Sequence, residues 1–211
     1  MTTRVKICGL STRDTMQAAL DAGAEMVGLN FYPRSPRYVT PEQATGLAAQ
    51  ARGRAKIVAL VVDADDSLIK SIVEATRPDY IQVHGSETPE RVAEINRLFE
   101  IPVIKVIKVK EAGDVASAKA FKDVAALILY DAKAPEELLP GGNGLSFDWN
   151  LLKGKDGQFM LSGGLNPDNV AQAIALTRAP IVDVSSGVET TPGKKDVFLI
   201  AKFIAAAKAA R

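Results

Sequence analysis

Apolar runs rich in β-branched residues alternate with helical segments along the whole chain. Eight such runs occur, and each is apolar on both faces, which is typical of parallel strands covered by helices. Their starts lie 21 to 33 residues apart, about the length of one strand and one helix together. These runs predict strands at Val5–Ile7, Met26–Phe31, Lys56–Val62, Tyr80–Val83, Val103–Ile107, Ala126–Tyr130, Phe159–Leu161 and Ile181–Val184.

The segments between the predicted strands carry signals for the start and end of helices. Ser11, with Asp14 three residues later, is a weak helix start of the capping-box type, and Gly23 is placed to end that helix. The last helix is predicted over Asp196–Ala209. In three further segments a capping side chain precedes a proline at the first helical position: Thr40-Pro41, Thr88-Pro89 and Asn166-Pro167.

Eight strand–helix units with no break in composition predict an α/β fold, a closed (β/α)8 TIM barrel that forms a single domain over residues 1–211. An open, doubly wound sheet is the alternative, since it uses the same alternation with fewer strands. No GxGxxG motif follows the first strand, which weakens the dinucleotide-binding form of that alternative. In a barrel the residues that follow the strands meet at one rim, where the chemistry takes place.

Composition narrows the class of function. The 26 lysine and arginine residues against 25 aspartate and glutamate residues leave a net charge of +1, which disfavours binding to nucleic acid or to a membrane surface. One cysteine and one histidine exclude an internal disulfide and a zinc site of the usual Cys/His type. The start of the chain lacks signal-peptide features, and no apolar run approaches the ~20 residues that cross a bilayer. We therefore expect a cytoplasmic protein.

Two residues at the predicted rim could transfer protons. Cys8 follows the first strand and Asp131 follows the sixth, on opposite sides of the ring. A thiolate base and a carboxylic acid suit an isomerisation. The alternatives are that Cys8 is a small buried apolar residue and that Asp131 caps the next segment.

Three other polar side chains follow predicted strands. Arg34 and Arg37 lie in the NFYPRSPRYV segment and could bind a carboxylate or phosphate, or they could be solvated loop residues. His84 follows the fourth strand and is either catalytic or a residue that shapes the pocket.

The segment Ala132–Asp148 contains glycines at 141, 142 and 144 and is predicted to be a lid, with a simple turn as the alternative.

Small residues follow the seventh and eighth strands, in Ser162-Gly163-Gly164 and Ser185-Ser186-Gly187. Such residues let backbone N–H groups approach an anion closely, and these two loops are the common phosphate site of (β/α)8 barrels. The alternative is two tight turns. The pattern therefore predicts a barrel of the phosphate-binding type whose partner is a phosphorylated small molecule.

Taken together, these motifs resemble those of the phosphoribosylanthranilate isomerases of tryptophan biosynthesis. Asn30 is the main departure from the family pattern, in which an apolar residue is more usual at this position. The matching stretches span nearly the whole chain in order: KICGL at 6–10, FYPRSPRYV at 31–39, QVHG at 82–85, LYD at 129–131, GGNGLSFDW at 141–149, LSGGLNPDNV at 161–170 and DVSSGVETTPGKKD at 183–196.

The resemblance implies an Amadori rearrangement of N-(5-phosphoribosyl)anthranilate, with Asp131 as the general acid and Cys8 as the general base. It implies that Arg37 contacts the anthranilate end of the substrate and that no cofactor or metal is needed. The phosphate would be held by the backbone of four residues: Gly163, Gly164, Ser186 and Gly187. We expect a monomer, with a dimer as the alternative.

Two other functions remain open on the residues alone. One is another phosphate-binding barrel enzyme, such as a pentose-phosphate epimerase or a thiamine-phosphate synthase. The other is a catalytically silent barrel that senses a phosphorylated ligand. The pairing of a thiol with a carboxylate disfavours the silent barrel, since a pure binding protein needs no matched acid and base.

Overall fold

Eight parallel strands close into a barrel in chain order, as the sequence predicts. This is seen in a computed structural model that describes residues 2–135 and 141–210. The ring is closed by pairing of the first strand with the eighth, in which Ile7 lies opposite Val184. The strands are β1 (Arg4–Cys8), β2 (Met26–Asn30), β3 (Lys56–Val61), β4 (Tyr80–Val83), β5 (Val103–Val109), β6 (Leu127–Ala132), β7 (Phe159–Leu161) and β8 (Ile181–Val184).

The predicted strand starts agree with the observed ones to within one residue, whereas the ends differ more. β5 runs on to Val109 and β6 to Ala132, because these two strands pair through to that position. Cys8 and Asp131 are consequently residues of β1 and β6 and do not follow them. Both still lie at the carboxyl end of the barrel.

Seven α-helices lie outside the barrel in the described residues. α1 is capped by Thr12, whose hydroxyl accepts a hydrogen bond from the Thr15 N–H, so the predicted start at Ser11 is one residue early. Gly23 follows the end of α1 with a φ of +87°, as a C-terminal glycine should. The helices are α1 (Arg13–Asp21), α2 (Pro41–Ala51), α3 (Asp66–Thr76), α4 (Pro89–Phe99), α5 (Ala112–Ser117), α6 (Val170–Thr177) and α7 (Val197–Ala209).

The two Thr-Pro starts and the last helix are confirmed, but the Asn166-Pro167 start is wrong. Thr40 and Thr88 cap α2 and α4, and Asp196 caps α7. The Asn166 side chain does accept the N–H groups of Asp168 and Asn169, as an N-cap would, but residues 167–169 form only a turn and α6 begins at Val170.

The strict strand–helix repeat fails after β6. The described residues there contain a 3-10 helix, Trp149–Leu152, in place of an α-helix. A small antiparallel hairpin after β8, formed by β9 (Glu189–Thr191) and β10 (Lys194–Lys195), was not predicted. This hairpin stands at the carboxyl rim and brings Glu189 and Lys195 over the barrel.

The barrel has an apolar interior of its own, separate from the larger core between strands and helices. Side chains alternate along each strand, so residues of one parity point inward. The inward-facing apolar cluster fills the barrel below the rim, and polar side chains replace it above. Its buried members are Met26, Val58, Ile104, Val106, Leu129, Met160 and Ile181.

Within the described residues, no helix is long and apolar enough to span a membrane.

Candidate active site

A cavity of about 780 Å³, counting its open mouth, lies at the carboxyl rim of the barrel. The structure brings most of the predicted site residues to its wall. Gly187 is the exception, since it does not line the cavity in the described structure. The predicted residues on the wall are Cys8, Arg37, Asp131, Gly163, Gly164 and Ser186.

Cys8 ends β1 with its thiol facing the cavity, and only 5% of the residue is exposed. Gly28 on β2 lies opposite, and a Cβ there would stand 2.8 Å from the Cys8 Sγ, so glycine leaves the space that the thiol occupies. Burial raises the pKa of the thiol, opposed chiefly by the Lys6 ammonium. The resting group is therefore a thiol rather than a thiolate.

The floor beneath the thiol is polar and buried. The Lys6 ammonium donates to Asp183 Oδ1 at 2.8 Å, and neither side chain is more than 6% exposed. Gln82 on β4 also points inward, and its Oε1 has no hydrogen-bond partner among the described residues. Such a buried acceptor is costly unless a ligand satisfies it.

Asp131 lies against the one histidine of the chain. Its Oδ1 accepts the Ala132 N–H at 2.9 Å, and its Oδ2 stands 3.4 Å from His84 Nε2. The His84 nitrogen makes no hydrogen bond within the described residues, so this contact is a close approach and not a hydrogen bond. Gly141 covers the pair, because a Cβ there would meet the His84 ring at 2.6 Å. His84 therefore borders the acid.

Arg37 is not open to solvent, as a simple loop arginine would be. Its Nε and Nη2 donate to the two oxygens of Glu189, each at 2.7 Å, and Nη2 also donates to the Gly142 carbonyl. Lys195 binds the same carboxylate at 2.6 Å. Burial opposes ionisation of Glu189, but Arg37 and Lys195 hold the pKa of its carboxyl below the usual range. The guanidinium is thus held in one orientation.

Asn30 orders the loop that carries Arg37. Its amide donates to the Ser35 hydroxyl and its oxygen accepts the Tyr32 N–H, while the Ser35 hydroxyl accepts the Arg37 N–H. Asn30, which departs from the family pattern, therefore stabilises this loop through its side-chain hydrogen bonds. Arg34 is exposed and does not line the cavity.

The loop after β7 presents two adjacent glycines in the left-handed region. Gly163 and Gly164 have φ values of +85° and +67°, and no hydrogen bond among the described residues uses either N–H. Consecutive free N–H groups in such a turn form a concavity suited to an anion. Ser186 lines the cavity beside them. A Cβ on Gly187 would strike the Leu165 carbonyl, so that glycine serves packing between the two loops.

The predicted lid, Ala132–Asp148, is seen in part, since residues 136–140 lie outside the described residues. Beyond them the chain turns tightly at Gly142, whose φ is +75°. It then passes close over the next loop, where a Cβ on Gly164 would stand 2.7 Å from the Ser146 Cβ. The described part of this segment covers the cavity.

Glu189, Lys6 and Asp183 were missed as site residues by sequence reasoning. Glu189 lies 152 residues from its arginine, and Asp183 lies 177 residues from its lysine. No local spacing connects such distant residues. The one available signal is that Lys6 and Asp183 interrupt otherwise apolar strands.

A closed (β/α)8 barrel with a thiol, a carboxylate and the Gly163-Gly164 turn around one cavity at its carboxyl rim has the arrangement of a barrel enzyme. The sequence model of the N-(5'-phosphoribosyl)anthranilate (PRA) isomerase family matches residues 5–206. The chain belongs to this family. It is therefore an isomerase of tryptophan biosynthesis, which confirms the family resemblance, the fold class and the function predicted from the sequence.

Individual relatives match over nearly their full lengths. The chain is 51% identical over 205 residues to an N-(5'-phosphoribosyl)anthranilate isomerase of Brucella canis, covering 96% of this chain and 92% of the relative. The crystal structure of the Thermotoga maritima phosphoribosyl anthranilate isomerase superposes with a TM-score of 0.88 at 36% identity, covering 98% and 99% of the chains. A phosphoribosyl anthranilate isomerase solved with reduced 1-(o-carboxyphenylamino)-1-deoxyribulose 5-phosphate gives 0.85 at 34% identity, covering 98% and 99%.

Proposed function

We propose that the rim cavity is the active site and that Asp131 and Cys8 are its general acid and general base. The reaction is the Amadori rearrangement of N-(5-phosphoribosyl)anthranilate to 1-(2-carboxyphenylamino)-1-deoxyribulose 5-phosphate. The observation that carries the proposal is the convergence of Asp131 and the sole cysteine on one cavity from β6 and β1, which are not adjacent in the ring.

The two groups act in sequence. Asp131 donates a proton to the furanose ring oxygen, and the bond between that oxygen and sugar carbon 1 breaks. The lone pair of the anthranilate nitrogen then forms a second bond to carbon 1, which gives a protonated Schiff base. The Cys8 thiolate then removes the proton on sugar carbon 2, which gives an enolamine. Tautomerisation of the enolamine, in which the 2-hydroxyl loses its proton and carbon 1 gains one, gives the ketone. Proton exchange then returns Cys8 to the thiolate and Asp131 to the acid. Each group is of a type that contributes ~10²–10⁴ in rate.

The substrate ends are bound at opposite parts of the cavity. The N–H groups of Gly163 and Gly164, which make no hydrogen bond to any described residue, support binding of the phosphate on this side of the rim together with Ser186. Arg37 supports binding of the anthranilate carboxylate, oriented by Glu189 rather than freely mobile. The solved relative that holds a reduced carboxyphenylamino-deoxyribulose phosphate supports a ligand of this chemistry.

The assembly of this chain is a separate proposal. One solved structure is described as monomers generated from the dimeric enzyme of Thermotoga maritima. We propose that this chain is a cytoplasmic monomer forming one domain over residues 1–211. Light scattering of the purified protein at micromolar concentration distinguishes a monomer from a dimer.

The test of the chemistry is steady-state turnover of the single-residue variants. Asp131→Asn and Cys8→Ala should each lose ~10² or more in kcat while retaining the fold and affinity for the reduced product analogue. Cys8→Ser should be nearly as poor, because an alcohol is a much weaker acid than a thiol. A Cys8→Ala variant with parental kcat would show that another group is the base.

A further inference from the structure

A buried lysine lies on the same strand as the thiol and is not used by the reaction steps above. Lys6 precedes Cys8 by two residues on β1, so both side chains point into the barrel. Lys6 is wholly buried and lies beneath the cavity rather than on its wall. A lysine in this position costs free energy unless it is paired, and its partner is Asp183 on β8.

The groups facing the thiol come from three elements. β1 supplies Lys6, β8 supplies Asp183, and β10 supplies Lys195. Lys195 donates to the carbonyl and hydroxyl of Ser185, and that hydroxyl donates to the Cys8 carbonyl at 3.1 Å. β2 contributes no charge here, because Gly28 is its residue opposite the thiol.

We propose that Lys6 is a positioning residue that stabilises the Cys8 thiolate, with Asp183 holding the ammonium in place and moderating its field. The proposal rests on the proposed function, in which Cys8 is the base. Lys6 keeps its proton throughout and acts by charge and hydrogen bonding alone.

The electrostatics support this division of roles. Burial and the Asp183 carboxylate raise the pKa of Cys8. Among the groups that lower this pKa, Lys6 has the largest effect. Burial alone would lower the pKa of Lys6, but Asp183 and then Cys8 hold it above the usual range, so the ammonium is charged at neutral pH. Burial lowers the pKa of Lys195, whose charge is matched by Glu189. Lys6 is thus the principal support of the thiolate.

The sole cysteine makes the test direct, because any thiol signal of the free enzyme belongs to Cys8. The pKa of the thiol is measured by its thiolate absorbance at 240 nm, with Cys8→Ser as the blank, and by the rate of alkylation with iodoacetamide against pH. Lys6→Met should raise the pKa by one unit or more, which slows alkylation at neutral pH about tenfold or more. Asp183→Asn should shift the pKa the opposite way.

Lys105 supplies the matched control. It is a buried lysine paired with Glu87 at 2.8 Å, but it points away from the barrel interior. Lys105→Met breaks an equally buried ion pair and should leave the thiol pKa unchanged. A pKa shift as large in Lys105→Met as in Lys6→Met would overturn the proposal, because the shift would then follow from general loosening of the fold.

Two further outcomes keep the test decisive. If Lys6→Met does not fold, the double variant Lys6→Met/Asp183→Asn leaves no unpaired charge and should still titrate above the parent. A thiol that titrates as in the parent would overturn the proposal. This result is distinct from failure of the proposed function, which Cys8→Ala would report by keeping parental kcat. Lys6→Met should also lower kcat while the reduced product analogue binds as in the parent.

Discussion

The buried ion pair of Arg37 and Glu189 allows the loss of stability in a Glu189→Gln variant to be predicted from the structure. In Glu189→Gln the amide keeps one acceptor for two guanidinium N–H groups and leaves Arg37 and Lys195 without a counter-charge. The side chains of these three residues are at most 5% exposed. Breaking a buried ion pair by removing one charge costs about 3–5 kcal/mol. Since the amide retains part of the bonding, we expect the free energy of unfolding to fall by about 3 kcal/mol.

Catalysis should weaken as well, because Arg37 would lose its fixed orientation towards the substrate carboxylate. A charge-assisted hydrogen bond is worth about 1.5–3 kcal/mol, so kcat/KM should fall roughly 10- to 100-fold, chiefly through KM. Arg37→Lys should behave similarly, because an ammonium keeps the charge but loses the two-pronged geometry.

The assay combines urea unfolding with steady-state kinetics, and pH adds a further check. The pKa of Glu189 is lowered in the folded state, burial being outweighed by Arg37 and Lys195. Its stabilisation is therefore fully present above about pH 4.3, the ordinary value for glutamate, and is lost as the pH falls through the lower folded value. The stability difference between parent and Glu189→Gln should be constant near neutrality and shrink in acid.

Glu94→Gln is the matched control, since Glu94 pairs with Arg91 at 2.7 Å but is nearly half exposed. An exposed pair contributes about 0–1 kcal/mol, so this variant should unfold almost as the parent does. If Glu189→Gln also stays within about 0.5 kcal/mol of the parent and keeps its kcat/KM, Glu189 does not orient Arg37 and the reasoning is refuted.

Three other predictions concern glycines of the site and a second buried carboxylate. Gly28→Ala places a Cβ 2.8 Å from the Cys8 Sγ and should lower kcat about tenfold or more, with circular dichroism confirming the fold. Gly164→Ala puts a side chain at a φ of +67°, costs about 1–2 kcal/mol and should raise KM more than it lowers kcat. Glu87→Gln breaks the buried pair with Lys105 and should cost about 3 kcal/mol in urea unfolding at pH 7 and less below pH 4.

The strands could be predicted because each is a short apolar run, and burial on both faces forces that composition on a barrel strand. The rim positions of Cys8 and Asp131 followed from strand order alone. The start of α6 could not be predicted in the same way. Capping signals report only what a local segment favours. At Asn166 the capping bonds form, but the three residues that follow make a turn and α6 begins only at Val170.

The charge pairs of the site lay beyond sequence reasoning for a different reason. Lys6 and Asp183 meet only because closure of the ring places β1 beside β8, and Arg37 meets Glu189 only because the hairpin β9–β10 folds over the rim. Neither the closure of the ring nor the folding of the hairpin can be predicted from the spacing of residues along the chain. A sequence shows which polar residues stand in apolar strands, but the partner of each is decided by closure.

The glycines of the rim loops show how far a shared pattern can mislead. From sequence, Gly164 and Gly187 have the same apparent purpose, which is close approach of backbone to phosphate. In the structure the Gly164 N–H is free of hydrogen bonds to described residues at the cavity, whereas Gly187 is required because its Cα faces the Leu165 carbonyl. Substitution of Gly187 would push apart two loops, so a loss of phosphate affinity there would carry no information on direct contact. Only Gly163 and Gly164 can report on the anion. A Cβ on either would meet a neighbouring backbone, that of Ala132 for Gly163 and that of Ser146 for Gly164, but only the one on Gly163 would also stand next to the proposed acid, so Gly164 is the preferred probe.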